Sequence, residues 1–197
     1  MEKQDFLYDF LILLQRLVAK QVKFQRLGNV KRVCAVDVAY KGNTGIAVAV
    51  CDGDEKEVHK VTGKVSFPYI PGLLFIREAP IMLKALEGTH PELLLVDGHG
   101  IAHPRRSGIA TVLGVLLEVP TIGIAKSRLV GDIVEENGVK YLVIQGERVG
   151  VKQGKYYFSP GNLVTLEDVV QFSRSGYPEL LREADKLSKE YRRELEP

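Results

Sequence analysis

The sequence predicts an α/β fold in which helices cover a mixed β-sheet. Three observations carry this prediction: an amphipathic helical pattern early in the chain, three β-type runs in close succession after it, and two wholly apolar runs that alternate with helical patterns. These runs lie in residues 92–96 and 121–125; after the first residue of each they contain no polar side chain, which is typical of parallel strands buried on both sides. The sheet is therefore expected to contain both antiparallel and parallel neighbours.

The beginning of the chain predicts one helix followed by an antiparallel meander. Residues 5–25 carry apolar side chains at three- and four-residue spacing, with basic residues between them. The β-rich runs that follow are residues 32–40, 44–51 and 57–65. Their connectors, KGN and DGD, consist of residues that favour hairpin turns, so we expect the three strands to pair in sequence order.

The middle of the chain alternates helices with buried strands. Residues 67–72 contain two prolines and one glycine, which forbid regular structure, and a helical pattern follows over residues 73–87. Pro80 lies inside that helix and removes one hydrogen bond, so we expect a bend near Glu78. A second helix is expected at about residues 107–117, between the two wholly apolar strands.

The rest of the chain predicts peripheral strands and a helical end. Strands are expected near residues 141–145 and 150–152, and helices at about 165–173 and 178–194. The order β-β-β-α-β-α-β, with helical additions at both ends, matches a five-stranded ribonuclease H-like sheet in which the first strand is central and lies beside the fourth. Residues 1–197 contain no internal repeat and no long linker, so we expect a single domain of this type.

Composition limits the possible functional classes. The chain is 45% hydrophobic and its net charge is +2, which argues against a disordered or a strongly cationic protein. Binding to nucleic acid would then need local clusters of charge, or metal ions. Cys34 and Cys51 lie in apolar runs without metal-ligand spacing and are expected to be reduced core residues. We recognise no signal peptide and no membrane span, so a cytoplasmic protein is expected.

Two carboxylates occur where an apolar core is expected. Asp37 interrupts the apolar run of residues 33–39, and Asp97 follows the first wholly apolar strand. A buried ionised carboxylate is costly unless a cation or several donors meet it. If the first and fourth strands are parallel neighbours, the two side chains lie about 5 Å apart and can share a cation of the Mg²⁺ type. Glu78 and Asp185 are further candidates from two predicted helices. Each acid alone would fit a structural or surface role, but together they suit metal-assisted displacement at phosphorus.

Five segments carry a resemblance to a known family. The most specific are PYIPGLLFIRE at residues 68–78 and DGHGIAHPR at residues 97–105. The others are VDV at residues 36–38, GIAKS at residues 123–127 and the segment 178–185. Together they resemble endonuclease V, the deoxyinosine 3′ endonuclease family of nucleic-acid repair, from about residue 8 to residue 190.

The resemblance implies a ribonuclease H-like nuclease that depends on Mg²⁺, for which Mn²⁺ can substitute. Such an enzyme cuts the second phosphodiester bond on the 3′ side of deoxyinosine, a deaminated adenine, and leaves a 3′-hydroxyl and a 5′-phosphate. The resemblance assigns Asp37, Glu78 and Asp97 to metal binding and catalysis, and Asp185 to a further catalytic acid. It also makes Tyr69 the wedge that fills the gap left by the extruded base. An aromatic ring between two prolines is a stiff loop tip, suited to stacking on a base.

The same resemblance implies a set of substrate contacts around these acids. Glycines would let backbone amides approach the extruded base. His103 and Lys126 would lie near the scissile phosphate, and Arg105 and Ser127 would contact the nucleic-acid backbone. The full set of substrate-binding residues expected beside Tyr69 is Pro68, Gly72, Leu74, Gly98, His99, His103, Arg105, Gly123, Ala125, Lys126 and Ser127. The expected partner is DNA that contains deoxyinosine, bound by a monomer, with no membrane.

Several alternatives share parts of this pattern. An endoribonuclease acting on inosine-containing RNA would use the same acids. A sugar kinase-like or chaperone-like ATPase of the same fold would need a glycine-rich phosphate turn after Asp37, which this chain lacks. A catalytically silent binding module is the third alternative, although all four acids are retained. Zinc at His99 and His103 would lack further ligands, and no Gly-x-Ser-x-Gly elbow supports a serine triad. Val112 departs from the family pattern, because many bacterial relatives carry a histidine there; this leaves the fine substrate preference open and does not touch the nuclease assignment.

Overall fold

One mixed nine-stranded sheet organises the chain, and its strand order is β3-β2-β1-β4-β5-β9-β8-β7-β6. The computed structural model describes residues 6–195. The strands are β1 Val33–Lys41, β2 Thr44–Asp52, β3 Glu57–Lys64, β4 Leu93–Asp97, β5 Thr121–Ala125, β6 Asp132–Glu136, β7 Val139–Ile144, β8 Glu147–Gln153 and β9 Tyr156–Asn162. The helices are α1 Phe6–Gln21, α2 Leu74–Leu86, α3 Ile109–Leu117, α4 Leu166–Ser173 and α5 Glu179–Glu194.

The first five strands confirm the predicted topology. β1, β2 and β3 form an antiparallel meander, and β1 pairs in parallel with β4, which pairs in parallel with β5. In this arrangement the first strand lies between the second and the fourth, as the ribonuclease H-like order requires. β1 and β4 are buried on both faces, which explains their nearly continuous apolar sequences.

Four strands, β6 to β9, extend the five-stranded core in the same sheet. β7 and β8 lie at the peripheral strands predicted near residues 141–145 and 150–152, whereas β6 and β9 were not predicted. β9 pairs antiparallel with β5 and connects the central strands to the meander of β8, β7 and β6. Its sequence, YYFSPGN, reads as a loop because Pro160 and Gly161 usually interrupt strands. The ladder between β5 and β9 has a register irregularity near Thr121, which accommodates that proline.

Helices cover both faces of the sheet. The core under α1, α2 and α3 includes Cys34 and Val36 of β1, whereas the core under α4 and α5 includes Ala35 of the same strand. α1 ends at residue 21, four residues before its predicted end, because the following segment bonds elsewhere. The Lys23 amide donates to the side chain of Asn162, and the Leu27 amide donates to Asp168. Among residues 6–195, no helix combines the length and the apolar composition that a bilayer crossing requires.

The prediction of two reduced cysteines was wrong, because Cys34 and Cys51 form a disulfide. The two residues lie directly opposite each other on the antiparallel strands β1 and β2, and both are fully buried. They lie 17 positions apart in sequence, and only the hairpin register brings them together. The prediction rested on the apolar neighbours of the two cysteines and on the lack of metal-ligand spacing, and neither shows which residues face each other across the hairpin.

Candidate active site

The carboxyl ends of β1, β4 and β5 lie at one edge of the sheet, with α2 and α5 beside them. A cavity of about 540 Å³ opens there. Its wall contains most of the predicted site residues: Asp37, Tyr69, Gly72, Leu74, Glu78, Asp97, Gly98, His99, His103, Ala125, Lys126 and Ser127. The predicted residues that are not part of the wall are Pro68, Arg105, Gly123 and Asp185. Side chains that line the cavity without having been predicted include Gln15, Tyr40, Arg77, Arg128 and Leu129.

Three acidic side chains converge beside this cavity. Val36 pairs with Val96 in the parallel ladder of β1 and β4, so the residues that follow, Asp37 and Asp97, come side by side. Asp185 reaches them from the middle of α5. One carboxylate oxygen from each acid lies within 4.8 Å of the other two. Such a set of hard oxygen donors suits a divalent cation of the Mg²⁺ or Mn²⁺ type.

Asp37 is the most buried of the three acids, with 6% of its surface exposed. Ser188, one turn after Asp185 on α5, donates a hydrogen bond of 2.8 Å from its hydroxyl to the Asp37 carboxylate. Burial, followed by the negative charge of Asp97, raises the pKa of Asp37 to about 8, although the Ser188 hydrogen bond acts against this rise. In the absence of a cation, the Asp37 carboxyl therefore holds a proton at neutral pH.

Lys126 supplies a positive charge between the other two acids. Its Nζ lies 2.6 Å from Asp97 Oδ2 and 2.8 Å from Asp185 Oδ1. Burial works against the charged ammonium, but these carboxylates raise the pKa of Lys126 above its ordinary value. Burial also opposes ionisation of Asp185, yet hydrogen bonds from Lys126 and Lys189 lower its pKa. Asp185 is therefore held as a carboxylate, and Lys126 lies between it and Asp97.

Glu78 faces the cavity from α2 but is not one of the three clustered acids. Burial raises its pKa to about 7, and the charge of Asp97 adds to this effect, while the Tyr40 hydroxyl acts in the opposite direction. That hydroxyl is buried and makes no hydrogen bond of acceptable geometry with any described residue. A carboxyl group that titrates near neutral pH can both accept and release a proton under ordinary conditions.

Tyr69 projects from the loop before α2, with 65% of its surface exposed. The loop closes with a hydrogen bond from the Leu73 amide to the Ile70 carbonyl, and Gly72 adopts a φ of +81°. Glycine suits this left-handed backbone conformation, which other residues rarely adopt. The exposed ring therefore stands at the end of a sharply turned segment beside the cavity.

The structure gives the glycines of the site a packing role. A Cβ atom on Gly123 would come within 2.5 Å of the Gly98 carbonyl oxygen and the Gly100 amide nitrogen. On Gly98, a Cβ would lie 2.4 Å from the Ile109 side chain. These contacts alone require glycine, because the loop after β4 lies directly against β5 at Gly123 and against α3 at Gly98.

His103 and Arg105 contact the Tyr69 loop. His103 Nε2 lies 3.0 Å from the Gly72 carbonyl oxygen, and its Nδ1 accepts a hydrogen bond from the Arg105 amide. A ring that donates through one nitrogen and accepts through the other is neutral. Burial, with the nearby charge of Arg105, lowers the pKa of His103 to about 4. His99 instead bonds the Ser127 carbonyl through Nε2 at 2.9 Å, and burial lowers its pKa as well.

Gln15 was missed by the sequence analysis. It lies on the inner face of α1, 1% exposed, where its amide contacts both the Tyr69 loop and the segment before α3. A polar residue within an amphipathic helix reads as part of the solvated face. Its one sequence signal is its position between Leu11 and Val18, on the apolar side of the helical pattern.

Comparison with known proteins identifies the family of this chain. A family model described as Endonuclease V matches residues 13–186. A protein named Endonuclease V from Sulfurisphaera tokodaii is 57% identical over 193 residues, which cover 96% of this chain and 98% of that protein. The crystal structure of the Endonuclease V from Streptomyces avermitilis superposes with a TM-score of 0.84 at 32% identity, covering 94% of this chain and 93% of that one.

A structure of Endonuclease V from Ciona intestinalis shares the fold at lower identity. It superposes with a TM-score of 0.82 at 22% identity, and the match covers 98% of this chain and all of that one. That protein is in complex with a 24mer DNA containing an inosine followed by a ribo-adenosine. The family model and the close relatives extend over nearly the entire sequence. This chain belongs to the endonuclease V family and is an endonuclease that hydrolyses nucleic acid.

Proposed function

We propose that this protein is a metal-dependent endonuclease of DNA repair that recognises deoxyinosine and cuts the second phosphodiester bond on its 3′ side. The products would carry a 3′-hydroxyl and a 5′-phosphate. The observation that carries the proposal is the convergence of Asp37, Asp97 and Asp185 beside a cavity whose rim bears the exposed ring of Tyr69. The inosine-containing DNA bound by the Ciona relative supports the choice of substrate.

The acidic cluster fits Mg²⁺ by its donor chemistry. Three carboxylates within 4.8 Å of one another, one of them almost fully buried, need a positive charge to be ionised together. Asp37 and Asp97 would hold the ion, with Asp185 and Glu78 as further acids. When bound, Mg²⁺ supplies Lewis-acid stabilisation of the phosphate and lowers the pKa of attacking water.

Side chains of this protein would accept the proton of the attacking water and stabilise the negative charge of the phosphate. Glu78, with a pKa of about 7, is placed to accept the proton of the attacking water. Lys126, 47% exposed beside Asp97, offers an ammonium for the negative charge of the scissile phosphate. Tyr69 would take the place of the extruded base in the stack, and the cavity under it would receive the base.

Two end-labelled duplexes that differ only by one deoxyinosine test the proposal. With Mg²⁺ we expect a nick in the inosine strand alone, one nucleotide beyond the 3′ neighbour of the lesion. D37N should lose cleavage by several orders of magnitude while it still binds the duplex. The matched control D132N changes an exposed aspartate at the edge strand β6 and should cut normally. Equal cutting of both duplexes, or full activity of D37N, would overturn the proposal.

A third substrate separates DNA from RNA. The same sequence is made as RNA with one inosine and incubated under the same conditions. Cleavage of the RNA without cleavage of the DNA would leave the acidic cluster as the catalytic site and would refute the assignment of DNA as the substrate.

A further inference from the structure

Side-chain hydrogen bonds hold both ends of the loop that carries Tyr69, residues 67–72. At its start, Arg77 Nη1 donates to the Phe67 carbonyl oxygen over 2.6 Å. At its end, the Gly72 carbonyl oxygen accepts from three side chains: Gln15 Nε2 at 2.8 Å, His103 Nε2 at 3.0 Å and Arg105 Nη2 at 2.8 Å. A carbonyl oxygen has two lone pairs, so three donors saturate it. The four residues between these two carbonyls include the exposed tyrosine.

At the second end of the loop, Gln15 links the Gly72 carbonyl to Ser107 and Arg105. Its Nε2 donates to the Gly72 and the Ser107 carbonyl oxygens, the latter over 3.0 Å, and its Oε1 accepts from Arg105 Nε over 2.6 Å. Every hydrogen-bonding position of the amide except one acceptor lone pair is therefore used. Removing this side chain would leave Arg105 Nε and the Ser107 carbonyl oxygen without these bonds.

We propose that Gln15 is a positioning residue for lesion recognition, which acts by fixing the Gly72 carbonyl so that Tyr69 is held in its inserting position before the nucleic acid arrives. This inference rests on the proposed function, because it assigns Tyr69 the role of a wedge. A wedge ordered in advance loses less conformational freedom when it enters the stack, so the duplex is opened more readily. α1 thereby takes part in substrate recognition through one buried amide, 57 residues distant in sequence from the carbonyl it holds.

The test compares Q15L, which keeps the volume and removes the amide, with Q21L on the exposed end of the same helix. Cleavage is measured under single-turnover conditions on a duplex and on a single strand, each with one deoxyinosine. The single strand needs no wedge, so Q15L should slow its cleavage less than it slows cleavage of the duplex, even though Gln15 also lines the cavity. On the duplex we expect Q15L to be slower by about tenfold to a hundredfold, in line with the loss of one or two buried hydrogen bonds. Q21L should match the wild type on both.

Two further measurements report on the loop without cleavage. A 2-aminopurine next to the lesion brightens when the duplex is opened, and Q15L should show a weaker and slower rise in fluorescence. Amide hydrogen exchange of residues 67–73 in the free protein should be faster in Q15L and unchanged in Q21L. If Q15L does not fold, Q15E replaces it, because a carboxylate keeps the acceptor for Arg105 and loses the donor to Gly72.

The possible outcomes are distinct. Equal losses on duplex and single strand, or unchanged exchange of the loop, would overturn the role of Gln15. If the wild type cuts neither inosine substrate, the proposed function fails instead, and the exchange measurement still decides whether Gln15 orders the loop.

Discussion

The buried, neutral His103 makes the stability of the protein depend on pH in a direction that can be stated in advance. Its pKa is lowered to about 4 by burial and by the charge of Arg105, whereas an unperturbed histidine has a pKa of about 6.5. Between these values the unfolded chain binds a proton that the folded chain does not. The contribution of His103 is therefore fully present above pH 6.5, and it is lost as the pH falls towards 4.

The size of the effect follows from the same two values. A difference of about 2.5 pKa units corresponds to about 3 kcal/mol of folding free energy at about 1.4 kcal/mol per unit. Asp37 and Glu78 act in the opposite direction, because their raised pKa values make the metal-free protein more stable as the pH falls. The pH profile of the wild type alone would mix these contributions, so a variant that removes only the histidine is needed.

H103Q keeps an amide donor for the Gly72 carbonyl and cannot titrate. Chemical unfolding is measured for wild type and H103Q in EDTA at intervals from pH 4 to pH 8. The free energy of unfolding of the wild type, minus that of H103Q, should fall by about 3 kcal/mol between pH 7 and pH 4. H90N, at an exposed histidine, is the matched control. A difference between wild type and H103Q that stays constant over this range would refute a buried neutral imidazole.

Two other predictions concern the metal site and the disulfide. Because the pKa of Asp37 is about 8 without metal, a bound cation must displace its proton. The affinity for Mg²⁺ should therefore fall by about tenfold per pH unit below pH 8, and calorimetry in buffers of different ionisation enthalpy should detect the released proton. Reduction of the bond between Cys34 and Cys51, which closes a loop of 17 residues, should lower the free energy of unfolding by about 3 kcal/mol. Denaturant unfolding with and without a reductant, and of the C34A/C51A variant, measures this loss; equal stability would contradict it.

The central strands and their acids could be predicted because local sequence determines them. An apolar run with an aspartate in it, as at residues 33–39, is rarely compatible with anything but a buried strand with a polar function. The parallel pairing of β1 with β4 then places Asp37 beside Asp97 by geometry alone. The sequence also predicted that Tyr69 stands on a loop between prolines, because proline leaves that segment few conformations.

The features that escaped prediction depend on partners far away in the chain. β9 is a strand in spite of Pro160 because β5 pairs with it as far as Asn162, whereas its pairs with β8 all lie before the proline, at residues 156–158. The disulfide depends on the register of one hairpin. Gln15 binds groups 57 and 92 residues later in the chain, and no local pattern encodes those distances. Tertiary hydrogen bonds and strand register, rather than propensity, decided each of these features.

The acidic cluster and the Tyr69 loop differ in whether their charged and polar groups already have partners within the protein. Beside the acids, like charges stand close together: burial and the charge of Asp97 raise the pKa of Asp37, and the opposing effect of Lys126, which bonds Asp97 and Asp185, is smaller. Around the Tyr69 loop, by contrast, the Gly72 carbonyl is saturated by donors. The acidic cluster is therefore completed by a cation, whereas the loop is ordered before any ligand binds. Binding of Mg²⁺ should accordingly stabilise the surroundings of β1 and β4 and leave the amide exchange of residues 67–73 unchanged, which separates metal loading from lesion recognition.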